Sequence, residues 1–210
     1  MLHIISNDSY LFFRSQGDLK QFLWATRKDN VKRNPNLAPL TLTQKINMCN
    51  QVVLGMEHLA NLRLVHKDLA SRNVLLSPNM DLKVANLGLC RDVYMAEYYP
   101  MGSSARLVPL RWLSPEALLD NEYSIKSDVW AFGVFCWEMF TLGDMPYKKR
   151  SDEEVRKGLM NGDCILDPPP NCPKEMHEVI EKCTAENPKD RPSFSELAMF
   201  IGELTVDSDV

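Results

Sequence analysis

Apolar residues at positions 46, 49, 52, 53, 56 and 59 recur at the spacing of one helix face, directly behind Thr41-Leu42-Thr43-Gln44. That tetrapeptide is a capping box, in which each side chain satisfies the other residue's free backbone N–H. A helix this long commits its apolar stripe to a core. Ser151-Asp152-Glu153-Glu154 and Ser193-Phe194-Ser195-Glu196 are two more capping boxes. The pattern predicts helices at about 114–120, 126–142, 151–160, 174–184 and 193–204, with Gly143 stopping the second. Another should follow Gly17-Asp18, capped by Asp18. Val74-Leu75-Leu76 and Leu82-Lys83-Val84 read as short strands flanking Ser77-Pro78-Asn79. Leu2-His3-Ile4-Ile5 and Tyr10-Leu11-Phe12-Phe13 are also compatible with strands. Residues 28–40 and 89–110 read as loops. With 210 residues and 45% hydrophobic content, the chain is large enough for one domain with a real core.

Behind the long helix stands His66-Lys67-Asp68-Leu69-Ala70-Ser71-Arg72-Asn73, and thirteen residues after Asn73 comes Asn86-Leu87-Gly88. Further on come Pro109-Leu110-Arg111-Trp112, Ser114-Pro115-Glu116, Lys126-Ser127-Asp128-Val129-Trp130-Ala131-Phe132-Gly133 and Pro188-Lys189-Asp190-Arg191-Pro192. In order and spacing these resemble the protein-kinase family: the H-R-D-L-x-x-x-N loop, the D-F-G triplet, A-P-E, the buried helix behind the loop, and the late Arg segment. Ala70-Ser71-Arg72 and the segment before Ser114 resemble the tyrosine-kinase branch. Lys67 in place of Arg, Asn86 in place of Asp, Gly17-Asp18-Leu19-Lys20-Gln21-Phe22-Leu23 and Thr205-Val206-Asp207-Ser208 narrow the resemblance further. They are similar to the inactive receptor tyrosine kinases of the protein tyrosine kinase seven and off-track type.

The resemblance implies an α+β protein-kinase-like fold, mainly its helical C-terminal lobe, with the N-terminal sheet lobe largely absent. Residues 1–16 would be a remnant of that lobe's strands and the hinge, 17–204 the C-terminal lobe and 205–210 a tail. No G-x-G-x-x-G and no V-A-I-K stand in the sequence. It further implies that Asp68 sits where the family's base accepts a substrate proton, that Arg72 steadies it, and that Asn73 holds a second metal. Leu75 would floor the adenine pocket, and His66, Glu116, Asp128 and Arg191 would be structural. Read without those roles, Asp68 and Asn73 simply order their loop.

Asn86 decides the chemistry. The family uses an Asp there to hold Mg²⁺ against the phosphates of ATP. An amide oxygen carries no formal charge, and Mg²⁺ favours carboxylates and phosphates. Removing one electrostatic stabiliser from an active site costs on the order of 10²–10³ in rate. Tyr94, Tyr98 and Tyr99 follow Arg91-Asp92-Val93 in a Y-x-x-x-Y-Y spacing that resembles insulin-receptor-like activation loops. They are either regulatory phosphorylation sites, each gaining about −1.5 to −2 charges, or three exposed aromatics. Lys67 would offer a phosphate only a point charge where Arg would offer a fork.

The net charge of −4 and pI near 5.6 argue against nucleic-acid binding. Lys20, Arg27, Lys28, Lys32 and Arg33 read as a solvated basic face. Six cysteines show no C-x-x-C pair and no metal spacing with the four histidines, so they read as reduced thiols. No apolar run reaches the roughly 18 residues of a membrane span; the longest, Val129 to Phe140, is broken by Glu138. The start lacks signal-peptide features, and Asn7-Asp8-Ser9 reads as a chance sequon.

Three readings stand. The first is a catalytically inactive scaffold without cofactor. It would bind signalling proteins, other receptors or kinases among them, in the cytoplasmic part of a single-pass plasma-membrane receptor. The resemblance places such receptors in Wnt and planar-polarity signalling and in cell adhesion. The second is an active tyrosine kinase using ATP and Mg²⁺, given an N-terminal lobe. The third is a truncated fragment without independent function.

Overall fold

A computed structural model of the chain describes residues 17–33, 37–85, 97–101, 106–163 and 165–207. The strand-like runs expected within residues 1–16 lie outside these, as do Asn86 and Tyr94.

Helix α1 (Leu19–Ala25) starts at Asp18, whose carboxylate accepts the Gln21 N–H at 3.0 Å. A single turn, α2 (Lys28–Val31), follows inside the stretch read as loop. Helix α3 (Leu42–Asn61) opens on the expected capping box, with Gln44 N to Thr41 Oγ1 at 3.1 Å and Thr41 N to Gln44 Oε1 at 2.9 Å. The apolar positions that carried its prediction are all buried. Strands β1 (Val74–Leu76) and β2 (Leu82–Val84) pair antiparallel, Val74 opposite Val84. The segment read as a long polar loop contains a second antiparallel pair, β3 (Tyr99–Met101) and β4 (Arg106–Val108), and a 3₁₀ turn over Leu110–Trp112. Tyr99-Pro100-Met101 lacks the β-branched alternation that would have signalled a strand.

Helices α4 (Pro115–Leu119), α5 (Ile125–Thr141), α6 (Asp152–Met160), α7 (Lys174–Cys183) and α8 (Phe194–Asp207) complete the lobe. Every residue of α5 from Ser127 to Phe140 is buried, so this helix is the axle of the core. It packs on α7, while α3 packs on α8. Gly133 permits the first contact, because a Cβ there would lie 2.7 Å from the Cys183 Cβ. The end of α5 comes slightly earlier than expected: Leu142 already turns left-handed at φ 54° and Gly143 continues at φ 75°. A side chain at Gly143 would strike the Trp24 ring, whose indole N–H instead reaches the Gly143 carbonyl at 2.8 Å.

The reading of Lys20 as part of a solvated face is wrong. Its side chain is 1% exposed and forms ion pairs with Glu97 and Glu138. Burying a lysine in this way requires compensating carboxylates, and both come from distant parts of the chain. Arg27 is half-buried and bonded to Asp144 at 2.9 Å; Lys28, Lys32 and Arg33 are at least partly solvated, as expected. Cys49, Cys136 and Cys183 are buried free thiols, and burial pushes the Cys136 and Cys183 thiols well up.

Candidate functional site

The loop from His66 to Asn73 is hung from the axle helix. Asp128, in the first turn of α5, accepts the His66 N–H at 2.7 Å and the Lys67 N–H at 2.9 Å. Burial pushes the Asp128 carboxyl up to about 6, even though both N–H groups and Lys67 pull it down. Lys67 stands at φ 72°, left-handed backbone that a lysine adopts only when its surroundings enforce it. Its ammonium lies 5.5 Å from the Tyr123 ring centre. His66 turns inward: its Nδ1 accepts the Asp68 N–H at 3.3 Å, and burial holds the imidazole below its ordinary pKa despite nearby Asp68. Asn73 donates its side-chain N–H to the Asp68 carbonyl at 2.6 Å.

These bonds fix Asp68 at the centre of a side-chain web. Arg72 Nη2 donates to Asp68 Oδ1 at 2.6 Å, and the Tyr98 hydroxyl donates to Asp68 Oδ2 at 2.8 Å. The same hydroxyl accepts from Arg72 Nε at 3.0 Å, and Arg72 Nη1 reaches Glu97 Oε2 at 2.8 Å. Arg72 is sandwiched between Trp112 and Tyr98, with ring centres at 4.3 and 4.8 Å. Burial would lower the guanidinium's affinity for its proton, but Asp68, Tyr98 and Glu97 outweigh it, and Arg72 stays a permanent cation. Burial pushes the Tyr98 phenol up, Arg72 pulls it down, and Asp68 pushes it up again; the phenol ends above its ordinary value and keeps its proton.

Tyr98 is therefore not an exposed aromatic: it is 6% exposed and plugs the carboxylate that the sequence singled out. Tyr99, next in the chain, is half-exposed on β3. Leu75 is buried in β1, bridged to Asp18 across from α1. Asn86 and Tyr94 cannot be placed within this geometry, being outside the described residues.

Two residues that hold the web together had no role in the sequence reading. Glu138, noted only as a break in an apolar run, is fully buried at the back of the loop. It accepts from Ser71 N at 3.0 Å, Ser71 Oγ at 2.6 Å, Trp112 Nε1 at 2.9 Å and Lys20 Nζ at 3.3 Å. Glu97 bridges Lys20 and Arg72. An acid inside a buried apolar helix must be paired, and that rule alone pointed to Glu138.

The remaining predicted residues lie apart from Asp68 and brace the lobe. Arg191 grips Glu116 with two bonds of 2.6 and 2.9 Å. It also donates to the carbonyls of Ala185, Lys126 and Glu186 at 2.8, 3.0 and 3.0 Å, and stacks 5.0 Å from the Trp130 ring centre. Burial raises the Glu116 carboxyl, but the Arg191 bonds, a backbone N–H and the guanidinium charge leave it below the usual carboxylate range.

Known proteins fit this arrangement. Residues 10–201 match the family described as protein tyrosine and serine/threonine kinase. Over 192 residues, 91% of this chain, it is 50% identical to the human inactive tyrosine-protein kinase 7, and 48% identical to the chicken protein of that name. It is 41% identical over 183 residues to the bovine insulin-like growth factor 1 receptor, covering 87% of this chain and 28% of that one. The chain spans 18% of the length of the inactive relatives. Among the described residues no helix is long and apolar enough to cross a membrane. Its core is the kinase helical lobe, and the chain belongs to the protein tyrosine and serine/threonine kinase family.

Proposed function

We propose that this chain is a catalytically inactive tyrosine-kinase-like domain that serves as a protein-interaction scaffold in receptor signalling. The observation that carries the proposal is Asn86, a neutral amide at the position where the family's Asp holds Mg²⁺. The chain's own Tyr98 also donates to Asp68 Oδ2, on the carboxylate that a general base needs free for a substrate proton. Relatives half identical to this chain carry the word inactive in their names. By the same kinship, the domain works on the cytoplasmic side of a single-pass plasma-membrane receptor, in Wnt and planar-polarity signalling and in cell adhesion. Its partners are other signalling proteins, receptors and kinases among them.

The competing reading is an ATP-dependent tyrosine kinase, and the ordered triad of Asp68, Arg72 and Asn73 favours it. A neutral amide at position 86 fits Mg²⁺ poorly. Thermal unfolding with and without millimolar Mg·ATP separates the two. A ligand at about 100 times its Kd stabilises by about 2.7 kcal/mol, a rise of several degrees at this size. We expect a cooperative melt that nucleotide does not move and no phosphate transfer to a tyrosine peptide. A Mg²⁺-dependent rise accompanied by transfer would overturn the proposal.

A further inference from the structure

Among the large apolar side chains described, Ile165 is the most exposed, at 78%. It follows α6 and lines two neighbouring cavities at once. One, of about 250 Å³, lies between α4, α5, α6 and α7, with Trp130 and Leu159 in its walls. Its charged lining is Glu181 and Glu186, with no cation among the lining residues. Gly162, at φ 72°, lets the Glu186 carboxylate lie against the backbone, since a Cβ there would be 3.0 Å from Glu186 Oε2. Glu186 has no ion pair among the described residues, and Glu181 faces only His177, at 3.7 Å.

The other cavity, of about 220 Å³, is lined by Lys148, Lys149 and Arg150 against a single acid, Asp167. Arg150 donates to the Asp163 carbonyl at 3.1 Å and lies in the field of Glu154, and Lys148 is bonded to Asp144 at 2.6 Å, an exposed pair. Lys149 meets Asp167 at 3.0 Å, but both side chains are more than 70% exposed. Such a pair is worth little and is readily exchanged for another partner.

An exposed apolar residue with an acidic hollow on one side and a basic hollow of similar size on the other is complementary to itself. A two-fold axis beside Ile165 lays the acidic cavity of one copy over the basic cavity of its partner, and does so twice. We propose that this face is a self-association surface, its occupant a second copy of the chain. Ile165 packs against its counterpart, and Lys149 and Arg150 of each copy face Glu181 and Glu186 of the other. The association does not depend on whether the domain transfers phosphate. Because its charges are exposed, it weakens as salt shortens the Debye length from about 10 Å at 0.1 M to about 3 Å at 1 M.

Sedimentation equilibrium of the 24.0 kDa chain tests this. We expect the apparent mass to rise with concentration toward twice the monomer value at low salt, and to fall back at high salt. Glu181→Lys with Glu186→Lys, and separately Lys149→Glu with Arg150→Glu, should each weaken association at least about tenfold, because like charges then oppose one another. Mixing the two reversed proteins should restore it. Ile165→Ser should weaken every form and carries the prediction alone if a reversed protein fails to fold. A native chain that stays monomeric at its highest soluble concentration overturns the proposal. So does association indifferent to these changes, or folded reversed proteins that do not recover on mixing.

Discussion

Arg191 and Arg72 are both buried, both lie over a tryptophan, and both hold a carboxylate through a 2.6 Å bond. They differ in what takes their remaining N–H groups. Arg191 spends them on the backbone carbonyls of Ala185, Lys126 and Glu186. Arg72 spends them on two more side chains, Glu97 and Tyr98. A carbonyl within a packed lobe moves only if the backbone moves, whereas a side chain can rotate. Arg191 is a weld that opens only with unfolding. Arg72 is a clasp that can open locally, and low-stability segments of this kind are where functional motion is found.

The largest effect should come from breaking the weld. Arg191→Ala strands Glu116 and frees three carbonyls, and losing one side of such a pair costs about 3–5 kcal/mol. The melting temperature should fall by roughly 10 °C; a fall of only a degree or two would mean that Arg191 holds the lobe no more firmly than Arg72 does. Glu138→Gln should come next. Gln has only one acceptor oxygen for the Ser71, Trp112 and Lys20 donors that Glu138 now holds, and each stranded donor costs about 1–3 kcal/mol. Chemical denaturation should show that loss, with faster amide exchange at Ser71.

Opening the clasp should be cheaper. Tyr98→Phe keeps the ring but removes two hydrogen bonds to charged partners, a loss of about 1.5–3 kcal/mol. Exchange should quicken at residues 97–101 while α5 and α7 stay protected, and uniform quickening would mean that the clasp is another weld. An added tyrosine kinase should modify half-exposed Tyr99 before buried Tyr98 in the native chain, as site-resolved mass spectrometry would record.

The response to pH differs in sign between the two regions. The Glu116 carboxyl is held below its unfolded value. Its contribution is therefore present above that value and is lost as pH falls. Asp128 is pushed up to about 6, so its contribution is present below its unfolded value and is lost as pH rises through about 6. The stability advantage of the native chain over Asp128→Asn should shrink between about pH 4 and 6, while its advantage over Glu116→Gln should grow across the lower part of that range. Melting curves of the three proteins across pH check both slopes.

Periodicity and capping made most of the helical lobe legible, because α3, α6 and α8 are announced by residues three apart. The motif likewise made Asp68, Arg72 and Asn73 legible. What stayed hidden was set by contacts distant in sequence. Lys20 looks like any surface lysine until Glu138, 118 positions away, is folded against it. Tyr98 looks like a loop tyrosine until Arg72 supplies a cation to receive it. Local pattern carries no information on such pairings.

The Tyr98–Asp68 bond also makes time a variable. A modifying enzyme meets only those molecules in which the phenol has swung out, so the rate of labelling counts that fraction. The hydroxyl's two bonds alone would keep the open fraction below roughly 10%, and burial of the ring against Arg72 lowers it further. Once Tyr98 carries a phosphate, its dianion must face the carboxylates of Asp68 and Glu97 to return, and the hydroxyl proton that Asp68 accepted is gone. Release is reversible before modification; afterwards two carboxylates oppose the return and Arg72 alone draws the phosphate back, so a pulse of an upstream kinase would shift the resting shape of this lobe.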